Sequence, residues 1–219
     1  MGAISPPEYG ERIIALGSNG GGKSVLMREL LAAGYPRTVT IDVKGDFEPI
    51  QPHRVVTKPD DWLGWRADHI VYRPGREHQT RAAMDGVLNR LYNRAQKSGK
   101  RHPFVVYIDE ALYLAKLGCA SSMAALAVSG RSLGLGLWIT SQRPKWIPVE
   151  VRSEAWRWYV FYLSFEEDER EVLKHTKGRL TLQNLQEGTE AYSFWEIRRG
   201  RSNPGLVDVT HHQPVTPTS

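Results

Sequence analysis

Short apolar runs recur along the chain, each closed by a glycine or a polar residue. Arg12–Gly17, Arg37–Asp42, His69–Arg73, Phe104–Glu110, Leu137–Ser141 and Trp158–Leu163 read as buried strands, and Thr189–Ile197 as a last one. Between them the spacing turns helical. Ser24–Ala33 reads as a helix stopped by Gly34 and Pro36. From Gln79 to Gln96 the apolar residues Met84, Val87, Leu88, Leu91, Tyr92 and Ala95 share one face, while Arg81, Arg90 and Arg94 lie off it, either as a solvated face or in reach of phosphates. Met123, Leu126, Ala127 and Gly130 mark a further helix. Ser164–Glu167 fits a capping box for an acidic helix, Glu166–His175, which Gly178 stops. Strands alternating with helices predict an α/β fold.

Around this pattern the chain divides into an arm, residues 1–11, one domain, 12–207, and a tail, 208–219, whose Pro, Thr and His predict no fixed structure. Residues 49–69 read as loop, in which Trp62 and Trp65 fit local core better than a base-stacking platform. With 219 residues there is enough chain for one sizeable core. The net charge of +5 permits a nucleic-acid partner without requiring one. Cys119 is the one cysteine, so no internal disulfide can form, and a reducing, cytoplasmic setting fits. No apolar run reaches 18 residues, so neither a membrane span nor stable membrane insertion is expected. His211 and His212 have no further ligand candidates beside them, which argues against a metal there.

The sharpest chemical signal lies between the first strand and the first helix. Gly17, Ser18, Asn19, Gly20, Gly21, Gly22, Lys23 and Ser24 fit G-x-x-x-x-G-K-[ST], with Val25 next in the helix. Glycines let the backbone turn tightly, so its N–H groups and the helix N-terminus together wrap phosphate. Lys23 is placed to reach the β- and γ-phosphates of ATP, and Ser24 to hold Mg²⁺. At the end of the Arg37–Asp42 strand, Asp42, Lys44 and Asp46 either face the nucleotide or form a solvated turn.

Phe104–Asp109 ends in two adjacent carboxylates, Asp109 and Glu110, costly to bury without a compensating cation. Mg²⁺ with ATP supplies one: Asp109 then holds the metal and Glu110 orients or deprotonates the attacking water. The Leu137–Ser141 strand ends in Gln142, suited to bonding both γ-phosphate and water. Arg131 precedes that strand, so about 20 Å separates it from its own nucleotide. Either it serves a neighbouring subunit's γ-phosphate or it complements its helix dipole. Arg143, beside Gln142, is expected to act within its own subunit.

Gly17–Ser24, Ile41–Asp46, Tyr107–Glu110, the pair Gly130-Arg131 and Thr140–Pro144 together resemble the FtsK–HerA superfamily of DNA-pumping ATPases over roughly residues 12–144. Ser141 stands where many relatives carry Ala or Thr. The short chain looks most like a viral genome-packaging ATPase. That resemblance implies a RecA-like P-loop NTPase with a mainly parallel central sheet flanked by helices, antiparallel strands being added near the C-terminus. It implies ATP and Mg²⁺ as cofactors, and catalysis by Lys23, Ser24, Asp109, Glu110 and Gln142 with Arg131 as a finger in trans. It implies a homo-oligomeric, often hexameric ring around double-stranded DNA, capsid vertex proteins as partners, and work in the host cytoplasm or at the virion vertex. Lys116, Lys145, Arg198, Arg199 and Arg201 are the candidates for DNA contact.

Three other readings share the P-loop. A filamentous-virus assembly or export ATPase has similar motifs but usually a membrane span. A small-molecule kinase needs an acceptor pocket and lid, for which Arg73, Arg76 and Arg81 are available, yet it must exclude the water that Glu110 would activate. An ATP-gated binding module would hydrolyse slowly or not at all.

Overall fold

The structure, a computed structural model, describes residues 4–8, 10–33, 35, 37–61, 68–189, 192–200, 203 and 205–213. In chain order its elements are β1 (Arg12–Leu16), α1 (Lys23–Ala32), β2 (Thr38–Asp42), β3 (Arg54–Val56), β4 (His69–Tyr72), α2 (Arg81–Ser98), β5 (Phe104–Asp109), α3 (Ala111–Lys116), α4 (Ala120–Gly130), β6 (Leu135–Ser141), α5 (Val149–Glu154), β7 (Arg157–Val160), α6 (Glu166–Leu173), α7 (Leu182–Glu187), β8 (Phe194–Arg199) and β9 (Val207–His212). Short 3₁₀ turns join several of them.

Nine strands form one sheet in the order β3-β4-β2-β5-β6-β1-β7-β8-β9. From β3 to β7 all pairs are parallel, and β8 and β9 add antiparallel at the far edge. Alternation along each strand feeds two cores, one on each face. Ile13 and Ala15 of β1 pack with Leu26, Met27, Leu30 and Leu31 of α1, Trp138 of β6 and Tyr159 of β7. Ile14 and Leu16 face the other way, toward Met84, Val87, Leu88 and Leu91 of α2 and Met123 and Leu126 of α4. Every residue of β5 is buried, as a parallel strand covered on both faces requires.

Register decides where chemistry can converge. Leu16 lies opposite Ser141, and Asp42 opposite Asp109, so the residues after β1, β2, β5 and β6 emerge on the same edge of the sheet. A parallel sheet of this kind binds ligands at the carboxyl ends of its strands.

Several expectations change. Val207–His212 is a strand paired with β8, not part of a free tail, so the domain runs through His212, and residues 214–219 lie outside the described residues. A buried charge network anchors β9: His212 Nε2 lies 2.9 Å from Glu196 Oε2, and Arg157 lies 3.4 Å from Glu196 and 3.1 Å from Glu11. Through Glu11, and through Ser5 O, which accepts from Arg157, the N-terminal arm is tied to the antiparallel strands. The capping box at Ser164 does not form. Phe165 occupies the N-cap, because Ser164 Oγ is engaged 2.7 Å from Ser18 Oγ of the P-loop. The last predicted strand begins at Phe194, five residues later than expected, and takes in Arg198 and Arg199. Trp62, Trp65, Gly34 and Pro36 fall outside the described residues.

Candidate active site

The turn from β1 into α1 has the backbone its glycines predict. Gly20 and Gly22 adopt φ of 72° and 95°, left-handed values that strain any side-chain-bearing residue. Gly17, at φ 152°, is fixed by contact as well, since a Cβ there would come within 2.6 Å of Phe161 Cβ. Lys23 Nζ is buried and donates to Gly17 O and Ser18 O, both at 2.8 Å, which holds it across the loop. Burial lowers the Lys23 pKa, and the carboxylates of Glu110 and Asp109 pull it back up.

Asp109 closes β5 beside this loop. Its Oδ1 accepts from Ser24 Oγ at 3.1 Å, Tyr107 OH at 2.5 Å and Thr140 Oγ1 at 3.1 Å, so three hydroxyls from three elements converge on one oxygen. Burial raises the Asp109 pKa, while those three bonds lower it. Burial drives the Tyr107 phenol well above its usual range, which keeps it a donor. Ser24 and Asp109 are therefore adjacent hard oxygen donors, the set that suits Mg²⁺. Asp46 adds a third carboxylate, its oxygen within 4.8 Å of those of Asp42 and Asp109. Asp42 itself is engaged: Gly45 N–H and Phe47 N–H donate to it, and Arg73 Nε lies 2.8 Å away. Arg73 thus serves β2, while Lys44 and Asp46 line the cavity.

Glu110 follows at φ 66°, left-handed and not glycine, a strained backbone of the kind that accumulates at functional sites. Its N–H donates to Thr140 Oγ1 at 2.9 Å. Its carboxylate accepts from Gln142 Nε2 at 3.3 Å, Gln142 N–H at 3.4 Å and Ser141 Oγ at 3.3 Å. Glu110 is also the N-cap of α3, accepting from Leu112 N–H at 3.5 Å, so the capping and active-site positions coincide. Glu110, Thr140 and Gln142 line a cavity of about 570 Å³ together with Asp109, Asn19, Gly20, Gly21, Gly22, Lys23, Ser24, Val25, Tyr113, Phe161, Tyr192 and Phe194. That volume suits a small ligand.

The structure thus brings the P-loop, Asp109, Glu110 and Gln142 together. Arg131 it places at the other end of β6, exposed, with its guanidinium 4.1 Å over the Trp156 ring. Arg143 does not enter the cavity; two of its nitrogens bond Asp168, at 2.6 and 3.2 Å, and it lies over Phe165. Of the DNA candidates, Lys116 and Lys145 are exposed. Arg198 and Arg199 are partly exposed on β8 and already hold protein partners. Arg198 bonds Glu196 and Ser5, and Arg199 bonds Ser153 O and His175. Arg201 falls outside the described residues. Sequence reasoning missed Thr140, Tyr107 and the aromatics Phe161, Tyr192 and Phe194. Thr140 sits one residue before Ser141 on a strand already marked by Gln142, which is the signal that could have found it.

The fold, with its loop and carboxylates, is that of a RecA-like P-loop NTPase. No protein-family model matches the chain, and a search of curated proteins finds none similar. Among solved structures, the chain is similar to the genome-packaging NTPase B204 from Sulfolobus turreted icosahedral virus 2 bound to sulfate, at TM-score 0.69 and 18% identity, covering 97% of this chain and 99% of that one. B204 bound to ATP-γS gives 0.68 and 18%, covering 94% and 98%. The cytoplasmic domain of the type VII secretion ATPase EccC of Thermomonospora curvata gives 0.55 and 16%, covering 93% of this chain but 25% of that one.

Proposed function

We propose that this chain is an ATP-hydrolysing motor that translocates double-stranded DNA, packaging a viral genome into a preformed capsid. The observation that carries the hydrolytic half is the meeting of Lys23, Ser24, Asp109, Glu110 and Gln142 around one cavity. The packaging half is supported by likeness along nearly the whole of B204, at a higher TM-score than to the secretion ATPase. No helix among the described residues is long and apolar enough to cross a membrane.

In this reading Lys23 leaves the Gly17 and Ser18 carbonyls for the phosphates, to which the loop N–H groups donate. Ser24 and Asp109 would hold Mg²⁺, which when bound offsets phosphate charge. Glu110 takes a proton from the attacking water, and Gln142 orients that water through the carboxylate it already bonds. Arg131, on the far edge of the sheet, reaches a neighbour's γ-phosphate across the interface of a homo-oligomeric ring, six subunits being the expected number. Duplex DNA occupies the ring, capsid vertex proteins receive it, and Lys116 and Lys145 remain DNA candidates.

Turnover of ATP should rise on adding duplex DNA, and particle mass should grow to a ring with ATP and DNA together. DNA-independent turnover with no change in mass would remove the motor and leave a plain ATPase.

A further inference from the structure

The cavity beside the P-loop has two unlike ends. Asp109, Glu110 and Gln142 make one polar, and Phe161, Tyr192 and Phe194 make the other aromatic. Hydrolysis uses only the first.

At the aromatic end Phe161 and Phe194 are buried, with ring centroids 4.8 Å apart, and form a floor. A Cβ on Gly22 would lie 3.4 Å from the Phe161 ring and 3.6 Å from Cδ1 of Tyr192, so both rings flank the last glycine before Lys23. Tyr192 differs from its neighbours in two ways. It is 61% exposed, although it belongs to a cavity wall, and its backbone sits at φ 68°. A large aromatic side chain held open by a left-handed backbone gains little in stability from either feature, and strain of this kind collects at ligand clamps. Val25, in the first turn of α1, is a further exposed apolar residue of the cavity lining.

Resting on the reading of the P-loop as a triphosphate site, we propose that Tyr192, over the Phe161–Phe194 floor, is a stacking shelf for the base of the bound nucleotide, and that it reads the ring face and not the hydrogen-bonding edge. A ring face is common to all bases, so stacking alone tolerates sequence and identity. Strong discrimination needs fixed donors and acceptors that a wrong base leaves unpaired. Of the three rings at this end, only Tyr192 carries a polar side-chain group, and the Asn19 amide is another polar group among the described lining residues. Each group both donates and accepts, so each can meet the amino group of adenine or the carbonyl of guanine. The ligand class is therefore nucleoside triphosphates generally, with purines, which offer the larger ring face, bound ahead of pyrimidines.

The test reads binding and not hydrolysis, by titrating ATP, GTP and inorganic tripolyphosphate, each with Mg²⁺. Wild-type protein should bind ATP and GTP within about threefold of each other, as stacking without edge readout predicts. Tyr192→Ala should weaken both by about tenfold while leaving tripolyphosphate unchanged, and Tyr192→Phe should stay within about twofold of wild type. The idea is overturned by an equal loss for tripolyphosphate, which would make Tyr192 a support of the loop. It is overturned equally by a Phe variant as weak as Ala, or by a preference for one purine beyond about thirtyfold. Tripolyphosphate bound as tightly as ATP overturns the shelf alone. No binding of any of the three overturns the phosphate site beneath it as well.

Discussion

Gln142 Nε2 donates to Glu110 Oε2 at 3.3 Å while the Gln142 backbone N–H donates to Glu110 Oε1 at 3.4 Å. The end of β6 therefore grips both oxygens of the carboxylate at the end of β5. On the proposed reading, the group that senses phosphate is thereby bonded to the group that activates water. Glu110→Gln removes the charge and the basicity but keeps the size, so ATP should still bind. Turnover should fall by about 10²–10⁴, the usual contribution of a positioned base. Equilibrium binding and steady-state phosphate release measure the two effects separately, and near wild-type release would remove Glu110 from the chemistry.

Thr140 holds that unit in place. Its hydroxyl accepts from Glu110 N–H at 2.9 Å and donates to Asp109 Oδ1 at 3.1 Å. Thr140→Val conserves shape but leaves the buried Glu110 N–H unpaired at a strained φ of 66°. The expected cost is about 1–3 kcal/mol, with turnover reduced alongside it, while Thr140→Ser should restore both. Urea unfolding of the two variants decides this, and equal stability for Val and Ser would show that the bond carries no weight.

Much of this site could be read before any coordinates. Glycines at the loop, a lysine and serine at fixed spacing, and paired acids at a strand end are local patterns, because each rule they obey acts over a few residues. The alternation of strands and helices was legible for the same reason, while the mainly parallel sheet followed from the family resemblance and the order of its strands comes from the structure. What escaped depends on contacts far apart in sequence. β9 looks like tail, because its anchor, Glu196 against His212, is set by the buried network around Arg157 and not by local pattern. Ser164 looks like a cap until Ser18 takes its hydroxyl. The basic run at Arg198 and Arg199 shows no partner locally, yet on β8 Arg198 bonds Glu196 and Arg199 bonds Ser153 O. Arg143 is drawn off by Asp168 of α6, a partner 25 residues away.

His175 gives the fold a pH dependence of definite sign. Its ring stacks on Trp158 at 4.3 Å, and Arg199 donates to Nδ1 at 3.1 Å, which requires that nitrogen unprotonated. Burial, followed by the Arg199 charge, lowers its pKa to about 4, with Arg152 and Lys174 adding to the shift and Glu171 opposing it. The folded state therefore disfavours the proton. Stability from this group is complete above the unfolded value of about 6.5 and is lost as pH falls from there toward about 4. The difference in Tm between wild type and His175→Phe should shift with pH in that window only, wild type losing more as acid is added. The raised carboxyls of Glu11 and Asp109 are present in both proteins and cancel in the difference. A difference constant from pH 7 to pH 4 would refute the linkage.

Arg131 poses the largest question, because its two roles predict opposite results. As the residue ending α4 it complements the helix dipole and lies over Trp156, and Arg131→Ala then costs about 0.5–1 kcal/mol and nothing in turnover. As a finger acting across a subunit interface it is worth about 10³–10⁵ in rate. Mixing separates these, because Arg131→Ala subunits keep an intact P-loop and Lys23→Ala subunits keep an intact arginine. Each variant alone should be nearly inactive under the second role. In a random equal mixture, about a quarter of the interfaces pair a good P-loop with a good arginine, so activity should return toward that fraction. Sizing the mixtures shows whether rings still form. Arg131→Ala rings that turn over ATP at the wild-type rate assign the residue to its helix. Inactive rings that no mixing ratio rescues would mean that the arginine supports its own subunit's site and not its neighbour's.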